Sequence, residues 1–304
     1  MSAATAPTAA AGTARPALRH RLAERGVDRM LLLILPGALA IVALFCYPFL
    51  YGLQLSFQPA QGGALGAYHQ FFTEPFARKS IWATFSLAIP ATVINVGVSV
   101  PISYRMRREF RGKRLLLALL VVPITLGTVL TAEGILEFYG PAGWFNRTLH
   151  ALGLTSSPMH LTMNYTGVLL SLIISGFPFA YLLTHSYLSG IHPSLEKAAS
   201  TLGADWWKRF RYITFPLLLP GLMTTFCLTF VMSFAVFPSA MMVGDPDGKT
   251  HVISIEAYES ALQRFDYAQG CADAMIMTVL MLVVIAVVTG LRSRMYSGAT
   301  GGKG

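Results

Sequence analysis

The sequence predicts an all-α membrane protein with six transmembrane helices and both termini in the cytoplasm. Three observations carry that expectation. The 304 residues are 54% hydrophobic and only 12% charged, which leaves too few polar groups to cover a soluble globule of this size. Six stretches approach the roughly 20 mostly apolar residues that a helix needs to cross the hydrocarbon core. Lysine and arginine gather in short clusters on alternate sides of those stretches, the pattern that sets orientation in a bilayer.

The spans are expected at residues 30–53, 82–104, 115–138, 165–188, 215–243 and 273–291. With the N-terminus inside, the cytoplasmic segments hold Arg15, Arg19, Arg21, Arg25 and Arg29, then Arg105, Arg107, Arg108, Arg111, Lys113 and Arg114. They continue with Lys197, Lys208, Arg209 and Arg211, and end with Arg292, Arg294 and Lys303. The outer side keeps Arg78, Lys79, Arg147, Lys249 and Arg264, so eighteen of the 23 basic residues lie inside. Such a bias fixes the topology. The expected domains are a cytoplasmic, partly disordered tail over 1–29, a transmembrane domain over 30–293 with a cytoplasmic loop over 189–214, and a short tail over 294–304.

The formal net charge of +9 does not point to nucleic acid, because the basic residues alternate with apolar runs instead of forming one solvated patch. Cys46, Cys227 and Cys271 are too few and too scattered for a disulfide framework. The first apolar run is longer than the apolar core of a secretory signal and has further runs behind it.

The outer segments differ in character. Residues 58–80 carry Tyr68, Phe71, Phe72 and Phe76, expected as an interfacial piece anchored by aromatics. Residues 139–164 place Gly140, Pro141 and Gly143 before a short amphipathic stretch. Residues 244–272 are acidic on balance, with Asp245, Asp247, Glu256, Glu259 and Asp266 against Lys249 and Arg264; they read as a solvated loop or as a docking surface for an outside partner.

The cytoplasmic stretch 195–221 holds the most specific pattern. Residues 196–202 favour helix, Gly203 suits a helix end with positive φ, and Asp205 suits the cap of a second helix. In that second helix Trp206, Trp207, Phe210 and Ile213 make an apolar face while Lys208, Arg209 and Arg211 make a charged one. The result is a compact knob suited to transmitting force from a soluble partner, although lying flat on headgroups would use the same pattern.

The series Glu196, Ala198, Ala199, Gly203, Ile213 and Pro216 resembles the EAA loop of type I ABC importer permeases, whose fold is the MetI-like transmembrane domain. The spacing from the Ala pair to the Gly, and on to the Ile and Pro, matches that pattern. Lys197 stands where the family's glutamate precedes the Ala pair, with Glu196 one residue earlier, and Phe215 replaces the Leu before the proline. One residue turns a helical side chain by about 100°; whether Glu196 takes the family glutamate's role stays open. Tyr47-Pro48 with Leu55-Ser56-Phe57 resembles the end of the first span in these permeases, and the outer segment with Asn146, Leu149, Gly153 and Leu154 and the triplet Leu202-Gly203-Ala204 are similar to the spermidine/putrescine-type branch.

The resemblance implies a multi-pass subunit of the bacterial inner membrane that is not itself an enzyme. It would pair with a second, homologous or identical permease, set its knob into a dimeric ABC ATPase, and receive solute from a periplasmic binding protein. Lipid is the surrounding partner and nucleic acid is none. It implies no cofactor of its own, since ATP binds the partner subunit, and coupling residues Glu196, Lys197, Ala198, Ala199, Gly203, Ile213 and Pro216. The implied solute is small and polar, of the polyamine type, with ferric ion, phosphonate or sugar as alternatives; an ion-coupled secondary transporter is the rival of another class.

Other chemistry lacks its tools. The segment Gly244-Asp245-Pro246-Asp247-Gly248-Lys249-Thr250 has one residue too few between its glycines to be a phosphate-binding loop and follows a span on the outer side. Seven histidines include no HExxH and no i, i+4 pair, so neither a helical zinc site nor any other metal site is expected. Glu133 and Glu137 share one face near the outer end of the third span. Either they face a cavity and attract a cationic solute, or the span ends early and both reach headgroup water. Thr229 and Ser233 in the fifth span are candidates for the solute path, with helix packing as the plainer use; Asn95 is expected in an interhelical hydrogen bond.

Overall fold

The computed structural model describes residues 36–59, 63–107, 109–155 and 157–296. The expected tail over 1–29, the first residues of the expected first span, Arg108, and the end of the C-terminal tail with Lys303 lie outside them. The chain divides into two units, Met1–Gln54 and Leu55–Gly304. The helix α1, Pro36–Ser56, makes up the described part of the first unit. It contains a π turn at Val42–Cys46, which ends two residues before Pro48, as expected where proline removes a ladder donor.

In the second unit the order is α2 (Gly66–Thr73), α3 (Pro75–Met106), α4 (Lys113–Tyr139), α5 (Trp144–Ala151), α6 (Tyr165–Ser189) and α7 (Pro193–Thr201). There follow α8 (Trp206–Phe234), α9 (Pro238–Val243), α10 (Ile253–Tyr258, extended by a π turn Glu259–Gln263) and α11 (Tyr267–Tyr296). Together with α1, five of these helices are long and apolar enough to cross a membrane, six among the described residues. The protein is an all-α, polytopic membrane protein.

Helix ends follow local chemistry. Pro75, Pro193 and Pro238 sit in the first turns of α3, α7 and α9, where a missing N–H costs nothing. The Asn164 side chain accepts from the Gly167 N–H at 3.0 Å and caps α6.

Helices α3, α6 and α8 form the centre, and small or hydroxylated residues allow the close approach. Asn95 of α3 is fully buried and donates to the Leu172 carbonyl of α6 at 3.1 Å, the interhelical bond expected of it. Any Cβ at Gly176 would stand 2.6 Å from the Asn95 amide nitrogen. One turn along, the Ser99 and Thr184 hydroxyls meet at 2.8 Å. Leu87, Val168, Leu172, Val236 and Ile255 build one apolar cluster, and Phe230, Phe234 and Ile253 another against α11. Lipid offers no hydrophobic drive for joining helices, so packing and such hydrogen bonds hold the bundle.

Three expectations need correction. The helix that holds the fifth span, expected at 215–243, begins at Trp206 and ends at Phe234; residues 235–237 leave the helix before α9 begins. The charged face of residues 206–214 hides their helical continuity with the span, and hydropathy does not register a break inside an apolar run. The cytoplasmic loop expected over 189–214 therefore gives up its second helix to α8. The second and sixth helices begin before 82 and 273, at Pro75 and Tyr267, because polar residues continue a helix beyond its apolar window.

Candidate functional site

The knob is built by two adjacent terminations. Helix α7 ends with Gly203 at φ +79°, in the left-handed region; its N–H donates to the Ser200 carbonyl at 3.1 Å, and the Ala204 N–H reaches the Ala199 carbonyl at 3.0 Å. This is a Schellman turn, which satisfies carbonyls that a helix end otherwise leaves free. Two residues on, the Asp205 carboxylate accepts from the Lys208 N–H at 2.7 Å and opens α8.

Glu196 points inward from α7. Its carboxylate accepts from Tyr104 at 3.0 Å, from Arg107 at 2.9 Å and from Thr214 at 2.7 Å. One side chain thus ties α7 to the end of α3 and to the π turn Phe210–Thr214 inside α8. Burial alone would raise the Glu196 pKa, but the hydrogen bonds from Thr214 and Tyr104 and the Arg107 charge outweigh it and hold the carboxyl below its ordinary range. Arg107 also donates to the Ile191 carbonyl at 2.7 Å.

Lys197 and Ala198 are exposed, and Ala199 is half-buried. Leu195 and Leu202 are exposed as well, so α7 presents an apolar outer face together with the Lys197 amine while Glu196 is engaged within the chain. Ile213 is half-buried; Pro216 is exposed at the second position of the helix segment beyond the π turn.

A cavity of about 300 Å³ lies where two helices lose regularity. Gly127 adopts φ 72° and ψ 177° inside α4 and kinks it, and residues 235–237 separate α8 from α9. Thr128, Ser175, Ser233 and Ser239 contribute hydroxyls to the lining, and no acidic or basic residue lines it. Of the expected path residues, Ser233 is here. Thr229 is buried one turn away with its hydroxyl unpartnered. Glu133 and Glu137 are both exposed and line no described cavity.

The outer segment over 244–266 contains a site that sequence reading missed. The buried His251 ring faces the Pro246 carbonyl through Nδ1 at 2.8 Å and the buried Glu256 carboxylate through Nε2 at 2.7 Å. A carbonyl only accepts, so Nδ1 donates; the Glu256 carboxylate opposite Nε2 favours an N–H there too, which is the charged form of the ring. Arg264 meets Glu256 at 3.0 Å and Glu259 at 3.5 Å. Donor atoms of His251, Glu256 and Glu259 lie within 4.8 Å of one another, but Arg264 already supplies the positive charge that a cation would bring. Burial opposes protonation of His251, yet the Glu256 hydrogen bond, the Pro246 carbonyl and the Glu256 charge prevail and push its pKa up. The excess acid of this segment is thus partly neutralised inside the fold.

Comparison with known proteins adds an independent line. Residues 81–296 match the family model described as binding-protein-dependent transport system inner membrane component. A probable sulfate transport system permease of Chlorella vulgaris is 28% identical over 222 residues, 72% of this chain and 81% of the relative. The sulfate transport system permease CysT of Escherichia coli K12 is 25% identical over 229 residues, 75% and 80% of the two chains. A probable ABC transporter permease of Brucella abortus is 24% identical over 86% of this chain and 96% of its own. Among solved structures, a chain of a bacterial alginate ABC transporter aligns with TM-score 0.77 at 20% identity, covering 92% of this chain and 98% of that one. A methionine ABC transporter chain aligns with TM-score 0.52 at 15% identity over 71% and 92%. Both share the fold.

Proposed function

The chain belongs to the family of binding-protein-dependent transport system inner membrane components, and we propose that within an ABC importer it couples to the ATPase through α7 and conducts a small oxyanion past the α4 kink. It is an inner-membrane permease subunit of such an importer and does not hydrolyse ATP. The observation that carries the coupling reading is the Glu196 tie: α7 offers Leu195, Lys197, Ala198 and Leu202 outward while Glu196 fastens it inward to α3 and α8. A push on the knob then reaches two membrane helices directly. The partners are an ATPase dimer, a second permease and a periplasmic binding protein; residues 30–293 form the conducting domain.

For the solute, the sulfate transport named for the relatives favours an oxyanion over a polyamine, and the cavity, mostly apolar with four hydroxyl side chains and no charged residue, offers a polyamine no carboxylate. The polyamine-type reading retains one support, the exposed Glu133 and Glu137 on one face of α4. The two part in uptake assays. With the assembled importer in vesicles, Glu133→Gln, Glu137→Gln leaves uptake of a sulfate-class anion unchanged; loss of spermidine uptake in the same variant would reinstate the polyamine reading.

The coupling test compares wild type with Gly203→Pro in the same vesicles, with and without binding protein. Proline cannot adopt φ +79°. Stimulated ATP hydrolysis in wild type that disappears in the variant supports the reading; equal stimulation in both removes it.

A further inference from the structure

A second, larger cavity of about 680 Å³ opens between α3 and the start of α8. Its walls are apolar, with Val100, Phe210, Phe215 and Leu222 among them, and Trp206, Trp207 and Arg105 stand at one end. Val96 and Leu222 also line a smaller apolar recess of about 280 Å³ that continues to Phe226 and Val288, so the two form one groove along the helices. From Arg105 to Val96 the rise is roughly 14 Å at about 1.5 Å per residue. One leaflet's hydrocarbon is about 15 Å thick.

We propose that this groove binds an anionic phospholipid of the cytoplasmic leaflet, one acyl chain lying between α3 and α8 and the phosphate meeting Arg105. The polar end of the groove coincides with the end of the apolar stretch of α3, where the basic cluster of the sequence begins, so its level is that of the headgroups. Trp206 and Trp207 are 49% and 59% exposed, and such rings settle at that boundary. The Arg105 guanidinium lies 5.0 Å above the Phe110 ring and forms no ion pair among the described residues. Positive charge beside an apolar slot between helices, on the cytoplasmic side, is the chemistry that selects acidic headgroups. The groove borders the Glu196 tie, since Tyr104 lines it and donates to that carboxylate; a lipid seated there stiffens the base of the knob.

Gly97 gives a clean test, because it lines the groove and a Cβ there meets nothing within 4 Å. Gly97→Phe adds a ring at the groove wall, and its Cβ meets no neighbour. The assembled transporter is equilibrated in nanodiscs of phosphatidylglycerol and phosphatidylcholine, washed in detergent, and its retained lipid read by native mass spectrometry. Wild type is expected to keep phosphatidylglycerol in preference to phosphatidylcholine. Gly97→Phe is expected to lower retention about tenfold with subunit composition unchanged, and Arg105→Gln to keep a lipid but lose the headgroup preference. Undiminished phosphatidylglycerol on Gly97→Phe overturns the proposal, as does a Gly97→Phe chain that sheds the second permease, which would make the groove a subunit seam. If Gly97→Phe does not assemble, Arg105→Gln decides alone, and an unchanged preference overturns it.

Discussion

Arg107 and Glu196 stand 89 residues apart in the chain and 2.9 Å apart in space. Their side chains are 15% and 18% exposed, dry enough for the pair to hold and wet enough that forming it does not demand full desolvation. Tyr104 and Thr214 complete the carboxylate's contacts, so three side chains from two membrane helices, α3 and α8, converge on one acidic group. The glutamate of a pattern that suggests contact with an outside subunit is here committed to its own chain, and Lys197 beside it faces outward.

Separating this tie is expected to weaken both fold and coupling. Hydrogen bonds to a charged group contribute roughly 1.5–3 kcal/mol each, so Glu196→Ala lowers the thermal midpoint and reduces binding-protein-stimulated ATP hydrolysis while the ATPase stays bound. A double-mutant cycle with Arg107→Met should return a coupling energy on the order of 1 kcal/mol. Strict additivity of the two substitutions would show the contact to be incidental.

Gly203 supports a second expectation. A Cβ there meets nothing within 4 Å, so only the left-handed backbone at φ +79° resists substitution. Gly203→Ala should cost roughly 1–2 kcal/mol, and Gly203→Asn much less, because Asn tolerates that region. Melting curves of the two variants in detergent rank them; an Ala variant as stable as the Asn one contradicts the strain argument.

The spans were legible because lipid forces each crossing segment to be both helical and apolar, and the knob was legible because Gly203 and Asp205 punctuate it. The break after Phe234 was not, since Ala235, Val236 and Phe237 are as apolar as the helix they interrupt; Pro238 was the one signal. For Glu196 the pattern leaves open whether it meets an outside subunit, and for Glu133 whether it faces a cavity or headgroup water. Telling them apart needs the tertiary position of Arg107, which no periodicity carries. The His251–Glu256 pair was invisible for the same reason: a five-residue spacing on an acidic loop does not say that both side chains turn inward.

That pair gives a pH dependence of definite sign. With its pKa raised, His251 contributes stability that is fully present below the ordinary imidazole value of about 6.5 and lost as pH rises through the folded value. Glu256 is held down: burial opposes ionisation, but His251 and Arg264 outweigh it. Its contribution is present above about pH 4.3 and lost as pH falls through its lower folded value. His251→Gln should therefore destabilise by roughly 3–5 kcal/mol near pH 5.5, and by less at pH 9. Thermal melts of wild type and variant at the two pH values check this; a gap that widens with pH would mean the ring is neutral.

On the proposed reading the cavity beside Ser233 conducts and the knob couples, so substitution can separate the two. Ser233 lies in its wall, buried near the end of α8, while the Glu196 tie belongs to the opposite end of the same helix. Ser233→Phe adds bulk to about 300 Å³ of space that has no other described use. Overpacking costs typically about 1–3 kcal/mol, which an assembled membrane bundle can absorb. Uptake should fall strongly while ATP hydrolysis stimulated by the binding protein persists. Thr229→Val offers the contrast: its buried hydroxyl lacks a partner and lines no described cavity, so exchanging it for a methyl of the same shape should leave uptake near wild type. Equal losses in the two variants would mean that packing along α8, and not the cavity, governs the effect.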